Sequence, residues 1–266
     1  MIILMNSSKT LDFQQKAGIS KHTIPEHIKD AAILVQKLRK FSAADISKLM
    51  KASEKLAKLN VDRYANWQTH LKGPNAKQAL LAFKGDIYSG MDVENYKIKD
   101  FEFAQKHLRI LSGLYGILRP LDLIQPYRLE MATKLATTRG KNLYHFWGTK
   151  INASARALLK REKSGILVNL CSAEYFKVIK SDLLDVKVIT PAFKEFRDGS
   201  YRFITLYAKK ARGMMCNYII QNHLKEVNDL KSFDVEGYQF NQKISSDNEW
   251  VFTRGKSDPA KSPAGG

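Results

Sequence analysis

Five polar side chains crowd one unusual stretch of this chain, L-R-I-L-S-G-L-Y-G-I-L-R-P-L-D-L-I-Q-P-Y-R-L-E-M, residues 108–131: Arg119, Asp122, Tyr127, Arg128 and Glu130. Pro120 and Pro126 fix φ and remove two backbone donors, so the segment from Arg119 to Arg128 should be extended and stiff. Apolar residues frame it on both sides. Charges in such a setting are paired with one another or turned toward a cleft, because an unpaired buried charge costs several kcal/mol. Two further groups of polar residues follow short apolar runs. Ile2 to Met5 leads into Asn6-Ser7-Ser8-Lys9-Thr10, and Ile166 to Leu170 leads into Cys171-Ser172-Ala173-Glu174-Tyr175-Phe176-Lys177. A third group, Lys209, Lys210 and Arg212, lies in a stretch with no acidic residue between Asp198 and Glu226. Cations, carboxylates and tyrosines brought together in this way suit an anionic ligand or phosphoester chemistry. Glu130, Glu174 and Tyr175 are the candidate acid–base groups. The candidate phosphate ligands are Lys9, Arg119, Arg128, Lys177, Lys209, Lys210 and Arg212, and Asp86 in a Lys-Gly-Asp turn is expected near Lys9.

The elements that must position these groups can be read from periodicity. Residues 2–5 and 165–170 read as buried strands, and ligands of open α/β sheets collect beyond such strand ends. Leu108, Leu111 and Leu114 fall at helical spacing, which predicts that the helix from Phe101 continues into the proline segment. Tyr201 to Tyr207 alternates like the second strand of a hairpin whose turn is Arg197-Asp198-Gly199. Residues 25–39 and 43–67 are helical, the second set capped at Ser42 and restarting at Ser53. F-D-V-E-G-Y-Q-F and E-W-V-F-T-R suggest a closing β-hairpin. The expected fold is α+β: one mixed α/β domain over residues 1–254, with a helical excursion and a basic cleft, and a disordered Pro/Gly/Ser-rich tail at 255–266.

The helical pair at about 43–67 resembles the helix-hairpin-helix element that grips DNA backbones. Leu49-Met50-Lys51-Ala52-Ser53, followed by Ala57, fits that pattern in register, although Lys51 and Ser53 stand where the pattern has glycines. Amides at the start of the second helix, with the helix dipole, would hold a phosphate. Lys51, Ser53 and Lys55 are therefore added to the candidate DNA ligands.

Composition sets the class of partner. Lysine and arginine number 44 against 26 acidic residues, a formal charge of +18. A globular chain this basic tends to meet a polyanion, and nucleic acid is the commonest soluble one. No apolar run is long enough to span a membrane, and the opening M-I-I-L-M is too short for a signal peptide, so a cytoplasmic protein is expected. Cys171 and Cys216 supply no disulfide framework, and the six histidines show no ligand spacing. No metal and no cofactor is expected.

Several blocks together are similar to the YaaA family of bacterial peroxide-stress proteins: Ser8 to Asp12, A-F-K-G-D-I-Y-S-G at 82–90, the 111–131 stretch, L-Y-H-F-W-G at 143–148, V-N-L-C-S-A-E-Y-F-K at 168–177 and Y-A-K-K-A-R-G at 207–213. One departure is Asn6-Ser7-Ser8-Lys9-Thr10, where the family has Ser-Pro-Ala-Lys-Thr. The resemblance implies a cytosolic mixed α/β protein with a helix-hairpin-helix and a positively charged cleft. It further implies binding to duplex or branched DNA and protection against hydrogen peroxide, with no established reaction. The expected function is thus DNA binding through phosphate contacts by a monomer, with little sequence preference. The alternative is an enzyme acting on a nucleotide or nucleic-acid phosphoester, in a cleft lined by Lys9, Arg128, Glu130, Lys177 and Arg212. The residues leave open whether any reaction occurs and favour binding.

Overall fold

The computed structural model describes residues 1–14, 18–71 and 75–255; the tail expected at 255–266 lies, apart from Gly255, outside the described residues. An eight-stranded sheet carries the molecule. Its strands are β1 (Ile2–Asn6), β2 (Leu108–Ser112), β3 (Gly116–Leu118), β4 (Ile166–Asn169), β5 (Lys187–Arg197), β6 (Ser200–Arg202), β7 (Gln239–Phe240) and β8 (Glu249–Arg254). They lie in the order β7-β8-β5-β4-β1-β2-β3, with β6 paired to β5. The five central strands, β8, β5, β4, β1 and β2, are mutually parallel, and β3, β6 and β7 are antiparallel to their neighbours. The expected mixed α/β domain is present. Its parallel centre, interleaved with helices, has the layout of an α/β sheet more than of an α+β one.

Burial explains the central position of β1. Ile2, Ile3, Leu4 and Met5 are all essentially inaccessible, so this strand must be covered on both faces, as parallel strands in α/β sheets are. Ile3 sits beside Leu108 of β2 on one side and Val168 of β4 on the other. The chain therefore leaves β1 for one neighbour and returns for the other. Loops leaving β1 and β4 diverge at this reversal and open a crevice at the strands' carboxyl ends, where ligands of such sheets bind.

The helices are α1 (Ile28–Leu38), α2 (Ala43–Met50), α3 (Glu54–Asn66), α4 (Ile98–His107), α5 (Lys150–Arg161) and α6 (Thr205–Gln221). At α2, Ser42 forms a reciprocal capping box with Asp45. Lys51 then ends the helix in the left-handed region at φ 47°, a position where glycine is favoured because it has no Cβ to clash. Ser53 caps α3, its Oγ accepting from the amide of Leu56 at 3.4 Å.

Two sequence expectations are corrected. The helix from Phe101 does not reach the proline segment: α4 stops at His107 and Leu108–Ser112 is a strand. All five residues of β2 are buried, so its apolar positions follow core demand on both faces, and the three-residue spacing of the leucines was no helical signal. Nor does the hairpin strand run to Tyr207. It ends at Arg202, and α6 begins at Thr205. The proline segment itself is extended as expected, pairing Leu123–Ile124 with Lys77–Gln78.

Candidate anion-binding site at the sheet reversal

A cavity of about 630 Å³ occupies the crevice beyond β1 and β4. The loop after β1 supplies Asn6 to Thr10, the loop after β4 supplies Ser172 to Tyr175, and Gly85 to Ile87 form another wall. Glu130, from the end of the proline segment, Phe203, just before α6, and Thr205, Lys209 and Arg212, from the first half of α6, complete the lining.

The two loops are locked to each other. Asn6 accepts from the amide of Ser172 through Oδ1 at 3.0 Å, and its carbonyl accepts from the Tyr88 hydroxyl at 3.2 Å. Below them lies a set of buried hydroxyls. Ser7 Oγ donates to the Tyr175 hydroxyl at 3.3 Å, and Ser112 Oγ lies 2.6 Å from the Tyr127 hydroxyl. Burial pushes the Tyr127 phenol up to about 12, against the hydrogen bonds with Ser112 and Ser7, which pull it down. Burial also raises Tyr175, so both phenols stay protonated at neutral pH and serve as fixed hydrogen-bonding groups.

Charges of both signs line the walls. Lys9 Nζ lies 2.6 Å from Glu130 Oε2, and Arg128 Nη2 reaches Glu130 Oε1 at 3.2 Å. Lys209 Nζ lies 3.1 Å from Asp86 Oδ2. Glu174 accepts from the amide of Ala132 at 3.0 Å. Arg212 differs from all of these. It is half-buried, burial pulls its guanidinium below the usual arginine range, and it has no hydrogen-bond or ion-pair partner among the described residues. An arginine keeps its charge in proteins, and this one, with no nitrogen both buried and unbonded, is open to solvent at the cavity wall, where no carboxylate of the described residues competes for an incoming anion. Thr205 opens α6 at the cavity wall, and the first turn of that helix has neither a side-chain cap nor an acidic residue. Its free amides and dipole add to the same positive potential.

Close packing sets where α6 stands. Gly213 faces the turn after Asp86, and a Cβ there would lie 1.7 Å from the Ile87 carbonyl oxygen. Gly90 meets the carbonyl of Lys210 in the same way, at 2.2 Å. Backbone touches backbone, which holds Lys209 against Asp86 and Arg212 at the wall.

Comparison with known proteins gives the chain a lineage. The family model described as "Peroxide stress protein YaaA" matches residues 1–244. The chain belongs to the YaaA family. Among its relatives, the UPF0246 protein RSc2009 of Ralstonia nicotianae is 48% identical over 254 residues, covering 96% of this chain and 99% of the relative. The UPF0246 protein of Saccharophagus degradans is 50% identical over 254 residues, with the same coverage. That of Colwellia psychrerythraea is 47% identical over 257 residues, covering 97% of this chain and all of the relative.

In this YaaA-family chain the cavity brings together Lys9, Asp86, Glu130, Glu174, Tyr175, Lys209 and Arg212, with Arg128 one ion pair behind. Other sequence candidates lie elsewhere. Arg119 is committed to Asp122, a carboxylate with 1% exposure that also accepts from the Arg119 amide and the Thr23 hydroxyl. Lys177 is not in the lining; its Nζ sits 5.4 Å from the centre of the Tyr144 ring. Lys210 points away, joining Glu236 in a network with Arg254 and Glu195. Lys51, Ser53 and Lys55 are exposed on the α2–α3 hairpin and do not line the cavity.

Sequence reasoning missed Phe203 and Thr205. Phe203 falls inside the strand expected over Tyr201 to Tyr207, whereas it follows the strand's end and is 54% exposed. The signal available was the Thr205 start of a long acid-free helix. Both thiols are buried, and burial pushes both well above the usual cysteine range, so neither presents a thiolate to an oxidant. Among the described residues, no cluster of histidine, cysteine and carboxylate side chains is suited to hold a metal, and no helix is long and apolar enough to cross a membrane.

Proposed function

We propose that this protein serves the response to hydrogen peroxide by binding DNA through its phosphates, with little base preference. The observation that supports this reading is Arg212: a half-buried cation without a partner among the described residues, opening into a cavity at the sheet reversal, on a chain of charge +18. Lys9 and Lys209 flank it at the rim. Each already has a carboxylate, so each adds a weaker, shared contact.

The α2–α3 hairpin is the second contact. With the Leu56 amide taken by the Ser53 cap, the amides of Glu54 and Lys55 at the start of α3 have no partner among the described residues, and exposed Lys51 and Lys55 stand beside them. Left-handed Lys51 takes the backbone conformation that glycine would provide in a DNA-gripping hairpin, although its side chain limits close approach. No element among the described residues suits base reading in a groove, so the contacts should be to phosphate and insensitive to sequence.

The double variant Lys51→Glu, Lys55→Glu tests the hairpin. Affinity for unrelated duplexes should fall by a common factor, about tenfold or more, as expected for lost phosphate contacts. Fluorescence anisotropy would measure it. Binding that is unchanged, or reduced for one sequence alone, would remove the hairpin from the interface.

The enzymatic alternative draws on one feature, the carboxylates beside the cations. A phosphoester reaction would use Glu130 or Glu174 as base and Arg212 as anion clamp. Lys177 lies outside that lining, and both glutamates are already engaged in hydrogen bonds or ion pairs. Binding is therefore the better-supported reading.

A further inference from the structure

A surface that only clamps a phosphate backbone has no use for carboxylates, which repel phosphate, nor for a bare aromatic ring. This cavity has both. Asp86 and Glu130 line it beside the cations, and Phe203 stands at its edge with 54% of its surface exposed. Phe203 has no ring partner among the described residues, while its neighbours Phe196 and Tyr201 pack against each other edge to face.

Size narrows the occupant. A cavity of about 630 Å³ can take in no more of a paired duplex than a phosphate at its rim, yet it falls within the range of small-molecule sites, roughly 300–1,000 Å³. The chemistry is divided as a nucleotide is divided. An anion would lie against Arg212, which has no partner among the described residues, and the uncapped first turn of α6. A planar ring would stack on Phe203. Carboxylate and hydroxyl acceptors in the same lining, among them Asp86 and Ser8, would meet the amino or imino hydrogens of a base edge.

The geometry points to a site for one unpaired nucleotide, its base stacked on Phe203 and its phosphate held by Arg212. This deepens the DNA-binding reading and rests on it for the strand that would deliver the nucleotide. Two sources share the chemistry: an unpaired nucleotide within DNA, and a free mononucleotide. Base–aromatic stacking is sequence-tolerant, so no particular base is required.

The test compares a short duplex carrying one bulged nucleotide with the same duplex fully paired, and adds calorimetry with deoxyadenosine monophosphate. The bulged duplex should bind about fivefold tighter or more, the worth of one stacked base. That ratio should fall toward one in Phe203→Ala. It should persist in Lys187→Glu, a charge change at the opposite end of the parallel strands. A ratio of one, with mononucleotide binding that is lost in Phe203→Ala and Arg212→Gln, supports the site with the free nucleotide as its ligand. A ratio of one with no mononucleotide binding overturns the site and leaves backbone binding intact. Failure to bind either duplex or the mononucleotide overturns both readings. Phe203 is exposed, so its loss should leave the fold standing, as thermal melting would confirm.

Discussion

Arg212→Glu should weaken DNA binding about a hundredfold. Removing a charge-assisted hydrogen bond costs about 2 kcal/mol, and a carboxylate in the same half-desolvated position adds repulsion of about 1 kcal/mol. Together these come to about a hundredfold in affinity. Lys187→Glu makes the same charge reversal at an exposed residue that begins β5, at the far end of the parallel strands. It should cost only a few-fold, through the general field. Equal losses in the two variants would mean that total charge drives association and that the cavity is a bystander. The comparison is informative because Lys9 and Lys209 are partly neutralised by Glu130 and Asp86, whereas Arg212 is not.

Gly213→Ala should destabilise the fold by on the order of 3 kcal/mol or more, because the new methyl would overlap a backbone carbonyl and rotamer changes cannot relieve it. Either α6 must retreat from the turn at Tyr88–Gly90 or the turn must move, and both shifts separate Lys209 from Asp86. Urea denaturation of Gly213→Ala beside Gly165→Ala gives the contrast. Gly165 has open space where its Cβ would be, so its substitution should be nearly neutral or slightly stabilising through the unfolded chain. Equal midpoints for the two variants would show that α6 does not pack as closely as described.

How far the sequence discloses this arrangement depends on what kind of signal each part leaves. β1 and β4 are short apolar runs bounded by polar loops, and their ends mark the site because buried parallel strands must stop where polar residues begin. The Ser42 and Ser53 caps are local hydrogen-bond chemistry, so the hairpin is legible within a few residues. The fates of Arg119, Lys177 and Lys210 are not. Each looks like a phosphate ligand in sequence, and each is taken up elsewhere: Arg119 by Asp122 three residues on, a carboxylate buried under the Thr23 bridge, Lys177 by the Tyr144 ring, and Lys210 by Glu236 from near the end of the chain. The two pairings remote in sequence, those of Lys177 and Lys210, leave no periodicity. Phe203 was obscured for a different reason. Alternation across residues 201–207 imitates a strand, and only tertiary structure shows that the strand ends at Arg202 and leaves the ring at the cavity edge.

The most direct trial of the account is the salt dependence of binding to one paired duplex. Plotted as log affinity against log salt concentration, the wild-type line should be straight with a slope of about −3 or steeper, reflecting several displaced counterions. The Arg212→Gln line should be shallower by about one contact. A flat line for the wild type, or no measurable duplex binding at low salt, would contradict the claim that phosphate is what this protein holds.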